Sequence, residues 1–177
     1  MGMFERETCS ICGGKCGLLN KDILADGYVC AACGKDISLN ISSTRKITVA
    51  QIKQYLVYRA ENRAKLQNVF TPTFQVGSTL AVFIDTKNKL WCVSRSGDYL
   101  QENADLFTFA EFVSAYREDE MTQQEAPDAS MYEVHVDAPQ TYVEIMHLCK
   151  EESTSLQAFT ELENAFDILR ENSFIKG

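Results

Sequence analysis

Two cysteine pairs, Cys9-x2-Cys12 and Cys30-x2-Cys33, stand 17 residues apart and constrain this chain more than any other feature. That spacing lies in the window where two CxxC units converge on one tetrahedral zinc ion. Four thiolates close the coordination shell and leave no position for an activated water, so one structural Zn²⁺ on Cys9, Cys12, Cys30 and Cys33 is expected, with no hydrolytic role. Gly13 and Gly34 follow the two pairs. They are expected to let the backbone turn so that its amides point at the sulfurs. Cys16 is left over: it can substitute for a ligand, stay a free thiol or simply pack, and the knuckle glycines favour Cys9 and Cys12 as the pair. A redox dithiol would need the strand-to-helix setting of a thioredoxin-like unit, and none is expected in residues 8–40. Those residues carry too little apolar surface for a core, so metal binding must supply the folding free energy.

The amino terminus, MGMFERETCS, has no apolar run of signal-peptide length, and no later segment approaches the roughly 20 apolar residues that span a bilayer. The expectation is a cytoplasmic protein in a reducing compartment, where paired CxxC units hold metal more often than they form disulfides. Residues 1–66 carry ten Lys/Arg and six Asp/Glu, a formal +4, whereas residues 67–177 carry seven and nineteen, a formal −12. A tetrathiolate zinc site contributes about −2 to the first part. Strong sequence-independent attraction to nucleic acid is therefore disfavoured for the whole chain.

Three regions follow from the patterning: a four-cysteine domain over residues 1–42, an amphipathic linking helix over 43–68, and a β domain with a C-terminal helix over 69–177. Thr48 and Gln51 form a capping-box pair, and Ile47 and Ile52 are placed to close a hydrophobic staple, so a helix is expected to start at Thr48. Val49, Ile52, Leu56 and Ala60 make its apolar stripe, with Lys53, Arg59, Arg63 and Lys65 on the surface. Residues 79–85 and 90–94 read as a hairpin around the polar turn 85–89, and 105–109, 112–116, 131–136 and 142–148 as further antiparallel strands. The acidic stretch 118–130 reads as a loop. Leu156, Phe159, Leu162, Phe166 and Leu169 mark one face of a closing helix that starts near Thr154, with Gln157 completing its cap.

The segment CSICGGKCGLLNKDILADGYVCAACGKDIS, with its knuckles, its Gly17–Asn20 turn and its Asp26-Gly27-Tyr28, resembles the N-terminal four-cysteine zinc domain of a group of uncharacterised bacterial proteins. Members of that group commonly continue with a β domain of the pleckstrin-homology or GRAM type. Phe83-Ile84-Asp85, Leu90-Trp91, Leu106 to Phe109 and the C-terminal helix are similar to that pattern. The resemblance implies an α+β fold: a zinc ribbon or treble-clef-like knuckle, a linking helix, and an antiparallel pleckstrin-homology-like sheet or barrel closed by a helix. Pleckstrin-homology domains that bind phosphoinositides use Lys/Arg on their early hairpins. Lys87, Lys89 and Arg95 would occupy such places here, within a module whose formal charge of −12 works against them.

His135, His147 and Cys149 sit in expected strands within an acidic neighbourhood, which suits ordinary strand residues better than a Cys-His nucleophile pair. Cys92, beside Trp91, reads as a core thiol. Trp91, Tyr99, Phe107, Phe109 and Tyr116 could form an aromatic ligand surface, although half-buried strands show the same alternation, and core is the expectation. Nucleotide-binding loops, nucleophile elbows and HExxH are missing, and the pairs Glu151-Glu152 and Glu118 to Glu120 lie in polar segments. The sequence thus points to a non-enzymatic, zinc-containing recognition or adaptor protein that binds another protein. The alternative is a nucleic-acid-binding zinc ribbon using Arg45, Lys46, Lys53, Arg59 and Arg63.

Overall fold

A computed structural model describes residues 7–77, 81–117, 131–149 and 156–173. The chain divides into two compact units, Met1–Glu61 and Asn62–Gly177. The acidic stretch 118–130 and the expected cap at Thr154 lie outside the described residues.

In the first unit, β1 (Lys21–Ile23) and β2 (Tyr28–Cys30) form an antiparallel hairpin in which Ile23 faces Tyr28. Its turn closes with the Leu24 N–H donating to the Gly27 carbonyl at 2.9 Å. β2 runs straight into the single turn α1 (Ala31–Gly34), and a 3₁₀ turn at Thr44–Lys46 precedes the long helix α2 (Val49–Asn68). The capping box is formed: the Thr48 N–H donates to Gln51 Oε1 at 2.9 Å and the Gln51 N–H to Thr48 Oγ1 at 3.3 Å. Both staple residues, Ile47 and Ile52, are buried.

The buried face of α2 differs from the expected apolar stripe. Ile52, Tyr55 and Arg59 are buried in the first unit and Asn62 and Leu66 in the second, while Ala60 and Val57 are exposed. Arg59 is 3% exposed and not a surface cation, because its Nε donates to the Asp36 carbonyl at 2.9 Å and its guanidinium lies over the Tyr55 ring at 5.9 Å. Asn62 donates to Asn103 Oδ1 and the Ala104 carbonyl and accepts from the Leu106 N–H, so its burial leaves neither end of the amide unsatisfied. Two polar residues on the inner face shift its centre away from where apolar residues alone place it.

The second unit holds two antiparallel sheets. One has the order β3 (Phe74–Val76), β4 (Ala81–Asp85), β5 (Leu90–Ser94) and β6 (Leu106–Thr108), with the short helix α3 (Tyr99–Glu102) between the last two. The other has the order β7 (Phe112–Arg117), β8 (Met131–Ala138) and β9 (Val143–Cys149), and α4 (Leu156–Ser173) follows it. The unit is therefore a mixed α+β structure with antiparallel sheets, and the described residues form no closed barrel. Strand β3 is an addition to the strands read from the sequence.

Every residue of β4 is buried, which explains why 81–85 lacks the alternation of a half-solvated strand. One face, Ala81, Phe83, Cys92 and Leu106, packs against Leu66, Phe70, Ala104 and Tyr99. The other carries Ile84, Trp91 and Phe107 at paired register positions. From there an aromatic chain runs across the second sheet to α4: Trp91 meets Phe107 at 5.0 Å and Phe112 at 5.8 Å, and Phe166 lies 6.3 Å from Phe112 and 5.3 Å from Tyr132. At the β4–β5 turn the buried Asp85 carboxylate accepts the N–H groups of Thr71, Lys87 and Asn88 and the Asn88 side-chain amide. Lys89 closes the loop in the left-handed conformation, with φ 54°.

Candidate metal centre

The first cysteine pair sits on a tight turn between two bridged residues, Thr8 and Lys15. The Cys9 N–H donates to the Gly14 carbonyl at 2.7 Å and the Gly13 N–H to the Cys9 carbonyl at 2.9 Å. Gly13 has φ 73°, a conformation that favours glycine, so its expected role in the turn is met. Gly34 works differently. Its backbone is not left-handed; it ends α1, and a Cβ there would run into the Asp22 carboxylate. The second pair straddles α1: Cys30 ends β2 and caps the turn, and Cys33 lies within it.

These elements bring Cys9, Cys12, Cys30 and Cys33 together, with all four sulfurs within 4.8 Å of one another. A tetrahedron of four sulfurs about 2.3 Å from a central ion has edges of about 3.8 Å. The Cys12–Cys30 separation of 3.7 Å equals such an edge, and the outer limit leaves the cage slightly open. None of the four forms a disulfide. The donor set fits one tetrahedral metal ion, and with four protein sulfurs the shell would be complete.

The local electrostatics run the same way. Burial pushes the Cys9 thiol up, but N–H groups of Cys12, Cys30 and Ile11 directed at its sulfur outweigh this and bring it down to about 6. The Cys30 N–H reaches that sulfur at 3.3 Å. Cys33 is pushed up to about 12 by burial and by hydrogen bonds from its thiol to the sulfurs of Cys12, Cys30 and Cys9. Metal binding needs the ligands as thiolates, and the amides directed at the Cys9 sulfur favour that form. Cys16 is buried and lies outside the four-sulfur group, and burial, then the charges of Cys9 and Cys30, raise its thiol. It is a buried free cysteine.

Around the cage, Lys21 pairs with Glu7 and lies over the Tyr28 ring at 4.9 Å. The Ser10 N–H donates to the Tyr28 carbonyl at 2.8 Å, and Ser10 Oγ accepts the Tyr28 N–H at 3.3 Å. Ser10 was not singled out in the sequence, and Asp26 entered only as part of the Asp26-Gly27-Tyr28 motif, with no role given to its side chain. The Asp26-Gly27 pair at a hairpin turn was the available signal for the second. The loop before β1 exposes Leu18 by 63% and Leu19 by 94%.

The other candidates stay apart from this site. Trp91, Phe107, Phe109 and Cys92 are core residues, Tyr99 is partly buried, and Tyr116 is exposed. His135 hydrogen-bonds through Nε2 to Glu133 at 2.6 Å. The side chains of His147 and Cys149 lie outside the described residues. Among the described residues no helix is long and apolar enough to cross a membrane.

The class defined by fold and site is a module whose four cysteines could hold a metal ion, followed by an antiparallel α+β unit. Residues 8–55 match the model of a domain of unknown function, DUF4428, which covers the knuckles, the hairpin and the start of α2. No curated protein and no solved structure matches the chain.

Proposed function

We propose that this protein is a non-enzymatic recognition or adaptor protein of the cytoplasm whose four-cysteine module, clamped by one structural Zn²⁺, binds another protein. The observation that carries it is the four-sulfur cage together with the exposed Leu18-Leu19 pair in the loop that joins the two cysteine pairs. A closed shell organises backbone and offers no site for water. Two neighbouring leucines held in solvent are the kind of surface a partner buries, at about 1.5–3 kcal/mol for each side chain removed from water. Zinc is favoured because four thiolates without histidine suit a tetrahedral d¹⁰ ion, with iron as the competing tetrathiolate metal.

The succession of knuckle, hairpin and helical turn supports the treble-clef form of the bacterial four-cysteine domain over a flat ribbon. Four antiparallel strands, then three, then a helix support the pleckstrin-homology-like reading of the second unit. The nucleic-acid alternative loses ground, since Arg59 spends its guanidinium on the Asp36 backbone.

Elemental analysis of purified protein tests the clamp: one zinc per chain is expected, and iron, or no metal, removes it. For the partner, affinity capture with the wild-type chain is compared with Leu18→Ser/Leu19→Ser, which should lose whatever protein the wild type retains. Capture unaffected by the double substitution would rule out this loop. A salt-dependent mobility shift with duplex or single-stranded nucleic acid would favour the alternative.

A further inference from the structure

Three contacts leave the hairpin turn at residues 24–27 and end on the start of α2. Asp26 Oδ1 accepts the Val49 N–H at 2.7 Å, one of the first-turn amides that no preceding helical carbonyl reaches. The Ala25 N–H donates to the Ile47 carbonyl at 2.9 Å. Gly27 is pressed between the first knuckle and the helix: a Cβ there would stand 2.7 Å from Val49 Cγ2 and would also collide with Ser10 Oγ. Ser10 follows Cys9 directly and is bonded in both directions to Tyr28 of β2. β2 in turn ends on Cys30, whose N–H points at the Cys9 sulfur. Closing the four-sulfur cage therefore fixes Ser10 against β2. The β1–β2 register then fixes the turn, and the turn holds Asp26 where α2 begins.

We infer that the first turn of α2 is a metal-responsive element. An ion on the four cysteines orders it through Ser10, Gly27 and Asp26, and these three positioning residues, none of them a ligand, tune metal affinity in return. The Thr48–Gln51 box is local and does not reach the Val49 N–H, which is left to Asp26. The Asp26 cap is not local: it joins residues 23 apart, so its closure entropy is covered only when the hairpin is formed. Coupling between an ion and a cap is reciprocal, so weakening the cap must weaken the ion. The inference rests on the reading that the cysteines hold a metal.

The test uses the full chain, titrated with Zn²⁺ against a chromophoric chelator, with amide exchange of residues 49–52 followed in the presence and absence of the ion. Wild-type protection at 49–52 should fall on chelation. Asp26→Ala should weaken zinc binding about 3- to 30-fold, the range set by loss of a helix cap. Asp26→Asn keeps a capping oxygen and should stay within about two-fold of wild type. Gly27→Ala should also weaken binding, and Val49→Ala in the same chain should recover part of the loss by opening space on the helix side. Asp98→Ala, which removes the cap of α3 in the other unit, should leave the affinity unchanged. Wild-type affinity in Asp26→Ala at one ion per chain, or protection at 49–52 that survives chelation, overturns the coupling alone. A chain that takes up no metal removes the clamp and this inference together.

Discussion

The two units solve the same problem, ordering a chain against its entropy, by opposite means. Residues of the second unit bury Trp91, Phe107, Phe112, Tyr132 and Phe166 in one continuous aromatic core. The knuckles and hairpin of the first unit bury little beyond Cys9, Cys16, Leu24 and Val29, and their turns are set by hydrogen bonds around four sulfurs. A segment that size cannot remove enough apolar surface from water to fold unaided, so its cohesion is chemical, whereas the larger unit's is solvational. The difference also predicts what each surface is for. A metal clamp would spare side chains from core duty, and Leu18 and Leu19 stand in solvent where a core-built domain of this length would have to use them.

That contrast breaks most visibly if the metal is taken away. Chelation, or Cys30→Ser, should abolish protection over β1 and β2 while β4 and β5 keep theirs, as read by amide exchange. Structural zinc is worth about 10–16 kcal/mol in small modules, so this is the largest effect expected. Loss of protection in both units together would show that they do not differ in this way. The mirror experiment is Phe166→Ala, which should cost the second unit about 3–5 kcal/mol in denaturant unfolding and leave zinc stoichiometry at one.

Asp85 gives a smaller and pH-marked effect. Burial raises its pKa, but donation from Thr71, from the Asn88 side chain and from the N–H groups of Asn88 and Lys87 outweighs this and holds it below the ordinary 3.8. A carboxyl whose folded value is depressed adds stability that is complete above its unfolded value and is lost as pH falls through the folded one. Asp85→Asn should therefore flatten the acid limb of the stability–pH curve below about pH 4. Asp85→Ala should cost about 1–3 kcal/mol at neutral pH. An unaltered acid limb in Asp85→Asn would contradict the assignment. Smallest of all, Leu19→Ser should change stability by no more than about 0.5 kcal/mol, since the side chain packs on nothing; a larger loss would place Leu19 in the fold and not on a recognition surface.

Much of this was readable in the residues. Cysteine spacing carries its own geometry, because a CxxC turn can present two sulfurs to one ion whatever surrounds it. The Thr48–Gln51 box and the Ile47–Ile52 staple are likewise local, and they were legible for that reason. The strand at Phe74–Val76 was not, since three residues set no period. The inner face of α2 was misplaced for a further reason. Arg59 and Asn62 are inward because of the Asp36 carbonyl and the Ala104 and Leu106 backbone groups, and nothing in the helix's own sequence announces those partners.

By itself the sequence determined which four cysteines gather, the order of elements and the opposed charges of the two halves, all properties that depend on residues close together or on simple totals. The tertiary structure alone decided that Asp26 caps a helix 23 residues away, that Gly27 must be small, and that Gly34 serves close approach and not a left-handed turn. The physical reason is range. Spacing and capping are settled within a few bonds, whereas the value of a buried polar group depends on what the rest of the chain places opposite it.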